Sequence, residues 1–266
     1  MTRSVVVTGA GHGLGAHVAR AARDAGWMVG VLDRDAAAAA RVVADLGADA
    51  VALVADTTVE HEVDRALDTF AAATGAAAPD GLVANAGIVR FGPLTTISTD
   101  DWRSVVDVNL TGTFVSARAV ARRMIAASTG GSVVAVTSMN GVAPGPNAGA
   151  YGATKAAVAL LTRQMALEWG PHGIRANAVA PGLIDAGMSE PIYADEDIRA
   201  RRAGSVPLGR LGTSGDVAGA VLFLLSDAAG YISGTELLVD GGVTSSIIGT
   251  LPRPRSVDTV GPTEEA

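Results

Sequence analysis

Cysteine is absent from the chain, which removes disulfide frameworks and every cysteine-containing zinc site. Histidine is almost as scarce. His12, His17, His61 and His172 are scattered, with no HExxH and no paired spacing, so no metal is expected. Charged residues make up only 18% of the chain, and its net charge of −7 with a pI near 5.0 leaves no basic surface for nucleic acid. Of the twenty basic residues a single one, Lys155, is a lysine. No apolar run reaches transmembrane length and no signal peptide precedes the first apolar run, so a soluble, cytoplasmic protein without a membrane partner is expected. Internal repeats and domain linkers are missing too, and the one low-complexity tract, Ala36–Ala40, suits a helix.

Hydrophobic residues, at 48%, are plentiful and come in short runs separated by helix-like stretches. The runs Ser4–Val7, Met28–Leu32, Ala50–Ala55, Gly81–Ala84, Ser132–Thr137, Arg175–Ala180 and Glu236–Val239 are apolar almost throughout, as strands buried on both faces require. Helices are expected near 14–25, 36–46, 59–73, 101–127, 150–169 and 214–226. The alternation predicts an α/β fold: a doubly wound, Rossmann-like parallel sheet of about seven strands with helices on both faces, in one domain over 1–244. Residues 183–206 are long for a strand-to-helix connection and read as a lid. Residues 245–266 form a tail.

Thr8-Gly9-Ala10-Gly11-His12-Gly13-Leu14-Gly15 follows the first strand and opens the first helix. Glycines at Gly9, Gly13 and Gly15 let the backbone turn tightly and approach a pyrophosphate, which then sits on free N–H groups at the helix N-terminus. His12 and Leu14 belong to that turn. The second strand ends at Asp33, where a carboxylate can accept hydrogen bonds from ribose hydroxyls and repel a 2′-phosphate. That favours NAD over NADP. Arg34 beside it complicates the reading, because a guanidinium turned inward could hold the phosphate. Asp56-Thr57 and Asn85-Ala86-Gly87 close the third and fourth strands at the ligand-binding end of such sheets, although either could be only a turn.

Tyr151 and Lys155, four apart in an expected helix, share one face. Taken with the glycine turn, Asn85-Ala86-Gly87, Asn109, Ser138 and Pro181-Gly182, they resemble the classical short-chain dehydrogenases/reductases, in that family's order from Val5 to Gly242. The resemblance implies hydride transfer between a nicotinamide and a secondary alcohol or ketone. It makes Tyr151 the general acid–base, Ser138 the residue holding the reacting oxygen, and Lys155 the group that binds the nicotinamide ribose and lowers the tyrosine pKa. Asn109 would hold a water of the proton relay, and Pro181, Gly182 and Ile184 would carry the following loop against the nicotinamide. Moving a phenol from about 10 to roughly 7 needs about 4 kcal/mol. One ammonium about 5 Å away supplies roughly 3 kcal/mol at an effective dielectric of 20.

Three departures from the family stand out. Ala84 replaces a usual asparagine, Ala186 replaces a common threonine, and the tail exceeds what the fold needs. Residues 139–150, between Ser138 and Tyr151, carry no charge, which points to an uncharged, partly apolar substrate unless Arg199, Arg201 or Arg202 of the lid reaches it. Two rival readings remain: an NADPH-dependent 3-oxoacyl-thioester reductase, which Asp33 opposes, and a nucleotide-sensing regulator, which would not need the four polar residues. The resemblance also implies pairing of the helices near 101–127 and 150–169 between subunits, as a homotetramer. Residues 245–255, apolar at Ile247, Ile248 and Leu251, are expected to pack across a subunit interface.

Overall fold

The strands at the centre of the sheet are apolar on both sides because both sides are covered. The computed structural model describes residues 2–246. Its strands are β1 (Ser4–Thr8), β2 (Met28–Asp33), β3 (Ala50–Val54), β4 (Gly81–Ala84), β5 (Gly131–Val136), β6 (Ile174–Pro181) and β7 (Glu236–Val239). They form one sheet in the order β3-β2-β1-β4-β5-β6-β7, and all neighbours are parallel. Side chains alternate across it. Val5 and Val7 of β1 enter one core and Val6 enters the other.

The first core is closed by α1 (Gly13–Asp24), α2 (Ala36–Leu46) and α9 (Ser214–Leu225), through Val18, Val42, Val217 and Val221. The second is closed by α3 (Glu60–Thr74), α5 (Gly112–Ala127) and α6 (Tyr151–Trp169), through Phe70, Val120, Met124 and Val158. Burying each such side chain contributes roughly 1.5–3 kcal/mol. A charge at Val6 would therefore break the fold, with no face of the strand free to receive it.

The strands and most helices fall within a residue or two of their expected limits, and one expectation needs correction. The helix expected over 101–127 is two helices, α4 (Thr99–Val106) and α5, separated by a π-helical turn at Asp107–Thr111. The segment over 183–206, read from the sequence as a lid, has structure of its own. It holds a tight turn at Gly187–Ser189, then α7 (Glu190–Tyr193) and α8 (Glu196–Ser205), whose N-terminus is capped by the Asp195 carboxylate. At its far end the Thr213–Asp216 capping box starts α9, and Arg210 grips the Asp216 carboxylate through two hydrogen bonds of 2.8 and 2.9 Å. The tail from Ile247 onward, with its expected interface role, lies outside the described residues.

The chain runs outward from β1 to β2 and β3, then returns to the other side of β1 as β4. That reversal leaves a crevice at the carboxyl ends of β1 and β4, where sheets of this type bind ligands.

Candidate active site

At the end of β1, Gly9 adopts φ +62° and lies so close to the loop after β4 that a Cβ would sit 2.8 Å from the Ala86 Cα. Gly15, in the first turn of α1, faces the Gly9 carbonyl, and a Cβ there would fall 2.2 Å from its oxygen. Any larger residue at either position would force the two segments apart. His12 is the N-cap of α1, with extended backbone and no side-chain cap bond, so the first amides of the helix stay open to a ligand. Gly13 and Leu14 begin the helix behind it.

The loop after β4 is laced to this turn. The Thr8 hydroxyl accepts the N–H groups of Asn85 and Ala86 at 3.0 and 3.1 Å, and the Asn85 side-chain amide donates to the carbonyls of Thr8 and Gly9 at 3.0 and 3.1 Å. Asn85 is thus a clamp for the glycine turn, and Ala86 the small residue that Gly9 packs on. Gly87 passes beside the deeper site: a Cβ there would lie 3.3 Å from Asn109 Oδ1 and 3.5 Å from Lys155 Nζ.

Asp33 is buried, with Oδ2 accepting the Gly11 N–H at 2.9 Å and Oδ1 the Asp35 N–H at 3.0 Å. Two amides thus fix the carboxylate at the crevice edge. Arg34 is exposed. Asp56 accepts the N–H and hydroxyl of Thr58 at 2.9 and 2.7 Å, which makes its own turn. Thr57 is buried against α5, where a Cβ on Gly112 would stand 2.7 Å from its hydroxyl.

Asn109 is fully buried in the π-helical turn, a distortion often found at functional sites. Its Oδ1 accepts the Ile88 N–H at 2.8 Å, while Nδ2 donates to the Ile88 carbonyl at 3.0 Å and to the Thr154 hydroxyl at 3.2 Å. The side chain therefore ties the loop after β4 to α6, and its donors are fully engaged in doing so.

Ser138, Tyr151 and Lys155 come together as the sequence suggests. Ser138 follows β5, and its hydroxyl caps the short turn at Met139–Gly141 by accepting the Asn140 N–H at 3.2 Å. The Lys155 ammonium stands 5.5 Å from the centre of the Tyr151 ring and donates to the Val136 carbonyl at 2.7 Å. Burial pushes the Tyr151 phenol above its ordinary range, and the hydrogen bond from Ser138 pulls it partway back. Lys155 is expected to do most of the lowering, with the charge of oxidised nicotinamide supplying the rest; here burial is the largest influence on the phenol, and it acts in the opposite direction. Burial also pushes Lys155 down, to about 8.

That shift has a consequence for stability. The unfolded chain holds the Lys155 proton up to about 10.5 and the folded protein only to about 8. Folding stability therefore rises with pH between those values, and the full penalty is borne below about 8. Lys155→Met, which fills the same space without a charge, should melt higher than the parent at pH 7, by a few degrees. The gap should close as pH climbs from about 8 to 10.5. Thermal melts across that range check it, and a variant of lower, pH-independent melting temperature would contradict it.

Beyond β6, which ends at Pro181, Gly182 packs where a Cβ would lie 2.5 Å from the Asp240 Cα. Ile184 is buried in the first core and bridges to Gly212, and Ala186 packs against the same core. Leu183 and Asp185 exchange backbone hydrogen bonds with Gly212, both 2.9 Å. The lid then crosses the glycine turn: a Cβ on Gly13 would come within 3.1 Å of the Gly187 Cα. Two lid guanidinium groups are engaged, Arg199 by Asp185 and Arg202 over the Tyr193 ring at 5.7 Å. A groove of about 560 Å³ on the far side of the lid, walled by Leu208, Leu237 and Leu238, includes none of Ser138, Tyr151 or Lys155.

Sequence reasoning left out Thr8 and Thr154 as site residues. Thr154 lies three residues after Tyr151 on the same helical face, a spacing that could have revealed it. The partners of Thr8 are 77 and 78 positions away, and no local signal announces them. A glycine cradle that any Cβ would fill, open amides at a helix start and a buried carboxylate beyond them fit a nicotinamide dinucleotide. Among the described residues, no group of three or more His, Asp or Glu side chains could hold a metal ion, and no helix is long and apolar enough to cross a membrane.

Comparison with known proteins gives a consistent picture. A family model described as enoyl-(acyl carrier protein) reductase matches residues 9–244. The chain is 41% identical to cis-4-hydroxycyclohexanecarboxylate dehydrogenase of Sinomonas cyclohexanicum, covering 91% of this chain and 97% of that protein. It is 40% identical to inactive 2-(S)-hydroxypropyl-CoM dehydrogenase 2 of Xanthobacter autotrophicus, over 86% of this chain and all of that protein. A solved gluconate 5-dehydrogenase from Burkholderia cenocepacia, in complex with NADP and tartrate, superposes with a TM-score of 0.85 at 37% identity, covering 92% of this chain and 96% of that one.

Proposed function

The chain belongs to the short-chain dehydrogenase/reductase family, and from that premise we propose that it transfers hydride between NAD(H) and a secondary alcohol or ketone, with Tyr151 as the acid–base. The observation that carries the reading is the convergence of Ser138, Tyr151 and Lys155 beside the glycine cradle. A protein that only sensed the nucleotide would have no need of a half-buried tyrosine hydrogen-bonded to Ser138. The same convergence supports activity here, although one relative carries "inactive" in its name.

Gly9, Gly13 and Gly15, with the amides of His12 and Leu14, would hold the pyrophosphate, and Asp33 the adenosine ribose. Asp56, Thr57 and the Asn85-Ala86-Gly87 loop would border the adenine and ribose, and Pro181, Gly182 and Ile184 the nicotinamide end. When bound, oxidised NAD supplies the hydride acceptor and a positive ring whose charge favours the phenolate. Ser138 would hold the substrate oxygen and Tyr151 would take its proton in oxidation or return it in reduction. Lys155 would turn from Val136 toward the nicotinamide ribose. With its side-chain donors engaged, Asn109 would contribute to a water relay through a remaining oxygen lone pair.

Asp33 supports NAD and opposes NADP, whereas the NADP in the gluconate dehydrogenase structure shows that this scaffold also admits the phosphorylated cofactor. A screen of secondary alcohols, sugars, steroids and acyl thioesters with each cofactor tests the proposal, and no turnover with any of them would refute it. A solved 3-ketoacyl-(acyl-carrier-protein) reductase from Brucella melitensis, 31% identical to this chain and complexed with NADH, favours one second reading on the substrate side, reduction of a 3-oxoacyl thioester, here with NADPH. Preference for that pair in the same screen would establish it.

A homotetramer is part of the proposal. On α6, Ala153, Ala156, Leu160 and Leu167 form an exposed stripe at helical spacing, and Phe114 of α5 is exposed as well. Small and apolar residues in one stripe suit close packing of symmetry-related helices. Light scattering at micromolar concentration should give four times the chain mass of 26.6 kDa. A monomer would exclude this assembly.

A further inference from the structure

Four large apolar side chains stand open to solvent on the segments that rim the catalytic cleft. Phe91 is 67% exposed and Leu94 71%, both on the loop after β4; Val142, between Ser138 and Tyr151, is 48% exposed; Met188, on the first turn of the lid, is 50% exposed. Single exposed apolar residues need no explanation, but a group of them around a cleft does. The loop carrying Phe91 and Leu94 is held against the segment just before Tyr151. Gly92 bridges to Ala148, its N–H donating to the Asn147 carbonyl at 2.9 Å, and a Cβ on Gly149 would lie 2.6 Å from Ile97. The turn carrying Met188 follows Gly187, which lies over Gly13 on the cofactor side.

Three of the four guanidinium groups nearest this rim are already engaged. Arg90 pairs with Asp101 at 3.5 Å, Arg199 with Asp185, and Arg202 lies over Tyr193. Arg201 is exposed on α8, beyond the turn that carries Met188. A substrate carboxylate or phosphate would reach Arg90 or Arg199 only by breaking an existing pair, and Arg201 only out on α8; a polyol would leave Phe91, Leu94 and Val142 against polar groups.

We infer that the substrate is a secondary alcohol or ketone with an extended apolar body, its reacting carbon at Tyr151 and its hydrocarbon portion between the Phe91–Leu94 loop and the lid. This rests on the dehydrogenase reading of the same site. Each methylene taken from water on such a rim should raise kcat/KM about threefold to fourfold, mainly through KM, until the rim is filled.

The test is a series of unbranched methyl carbinols of four to ten carbons, oxidised with NAD, alongside a hexitol. The parent should climb along the series and handle the hexitol worse than the six-carbon carbinol. A Phe91→Ser, Leu94→Ser double variant, at exposed positions, should keep its fold and its rate with the four-carbon alcohol while its slope flattens. Thermal upshift by the ten-carbon methyl ketone against the four-carbon one gives a readout free of turnover, expected large in the parent and small in the variant. Turnover with a flat series, or with the hexitol preferred, overturns this inference and leaves the dehydrogenase reading standing. Absence of NAD-linked turnover with every alcohol overturns both.

Discussion

Tyr151→Phe is expected to lower kcat by about a hundredfold to ten-thousandfold, the range general acid–base catalysis supplies, while NADH binding stays close to that of the parent. Phenylalanine keeps the ring and removes only the oxygen that Ser138 bonds and that would exchange a proton with substrate. The glycine cradle, Asp33 and Lys155 are untouched, so nucleotide affinity should survive. Because burial holds the phenol high, the neutral form is the one present at neutral pH, ready to donate in reduction. Oxidation needs the phenolate, so parent kcat/KM for alcohol should rise with pH, and this rise should vanish in the variant. Retention of more than about a tenth of parental kcat, against that expected loss, would remove Tyr151 from the mechanism.

The second large effect concerns cofactor choice. A 2′-phosphate placed about 5 Å from the Asp33 carboxylate, at an effective dielectric near 20, is disfavoured by roughly 3 kcal/mol per unit charge. That corresponds to a preference for NAD of about a hundredfold or more. The geometry selects the informative substitution. Asp33 also accepts the N–H groups of Gly11 and Asp35, so a change to serine would release the glycine turn as well as the charge. Asp33→Asn keeps an oxygen for one of those amides and removes the repulsion. It should narrow the NAD-to-NADP ratio of kcat/KM at least tenfold, mainly by improving NADP. If the unmodified protein prefers NADPH, the exposed Arg34 governs that end of the site instead.

Local patterns made much of this legible. Val5, Val6 and Val7 are all apolar because the two faces of β1 meet two different cores, and a run apolar at every position announces that burial. Tyr151 and Lys155 announce themselves by helical spacing, and Asp33 by its place at the end of the second strand. Features that depend on distant partners were hidden. Nothing near Asn109 in the chain signals that its side chain will be taken up by Ile88 and Thr154, or that the backbone will widen into a π turn there. Thr8 looks like the end of a strand until Asn85 folds onto it. The burial that raises the Tyr151 phenol is hidden for a physical reason: the sequence shows a cation four residues away but not the desolvation that opposes it.

The most direct test of the hydride-transfer claim is a single-turnover reaction of the full-length protein with NAD and a secondary alcohol deuterated at its carbinol carbon. The label should appear in the reduced nicotinamide at one deuterium per turnover, while Tyr151→Phe binds the nucleotide and transfers the label at least about a hundredfold more slowly. Bound NAD that acquires no label from any secondary alcohol, or equal transfer by the two proteins, would contradict the account.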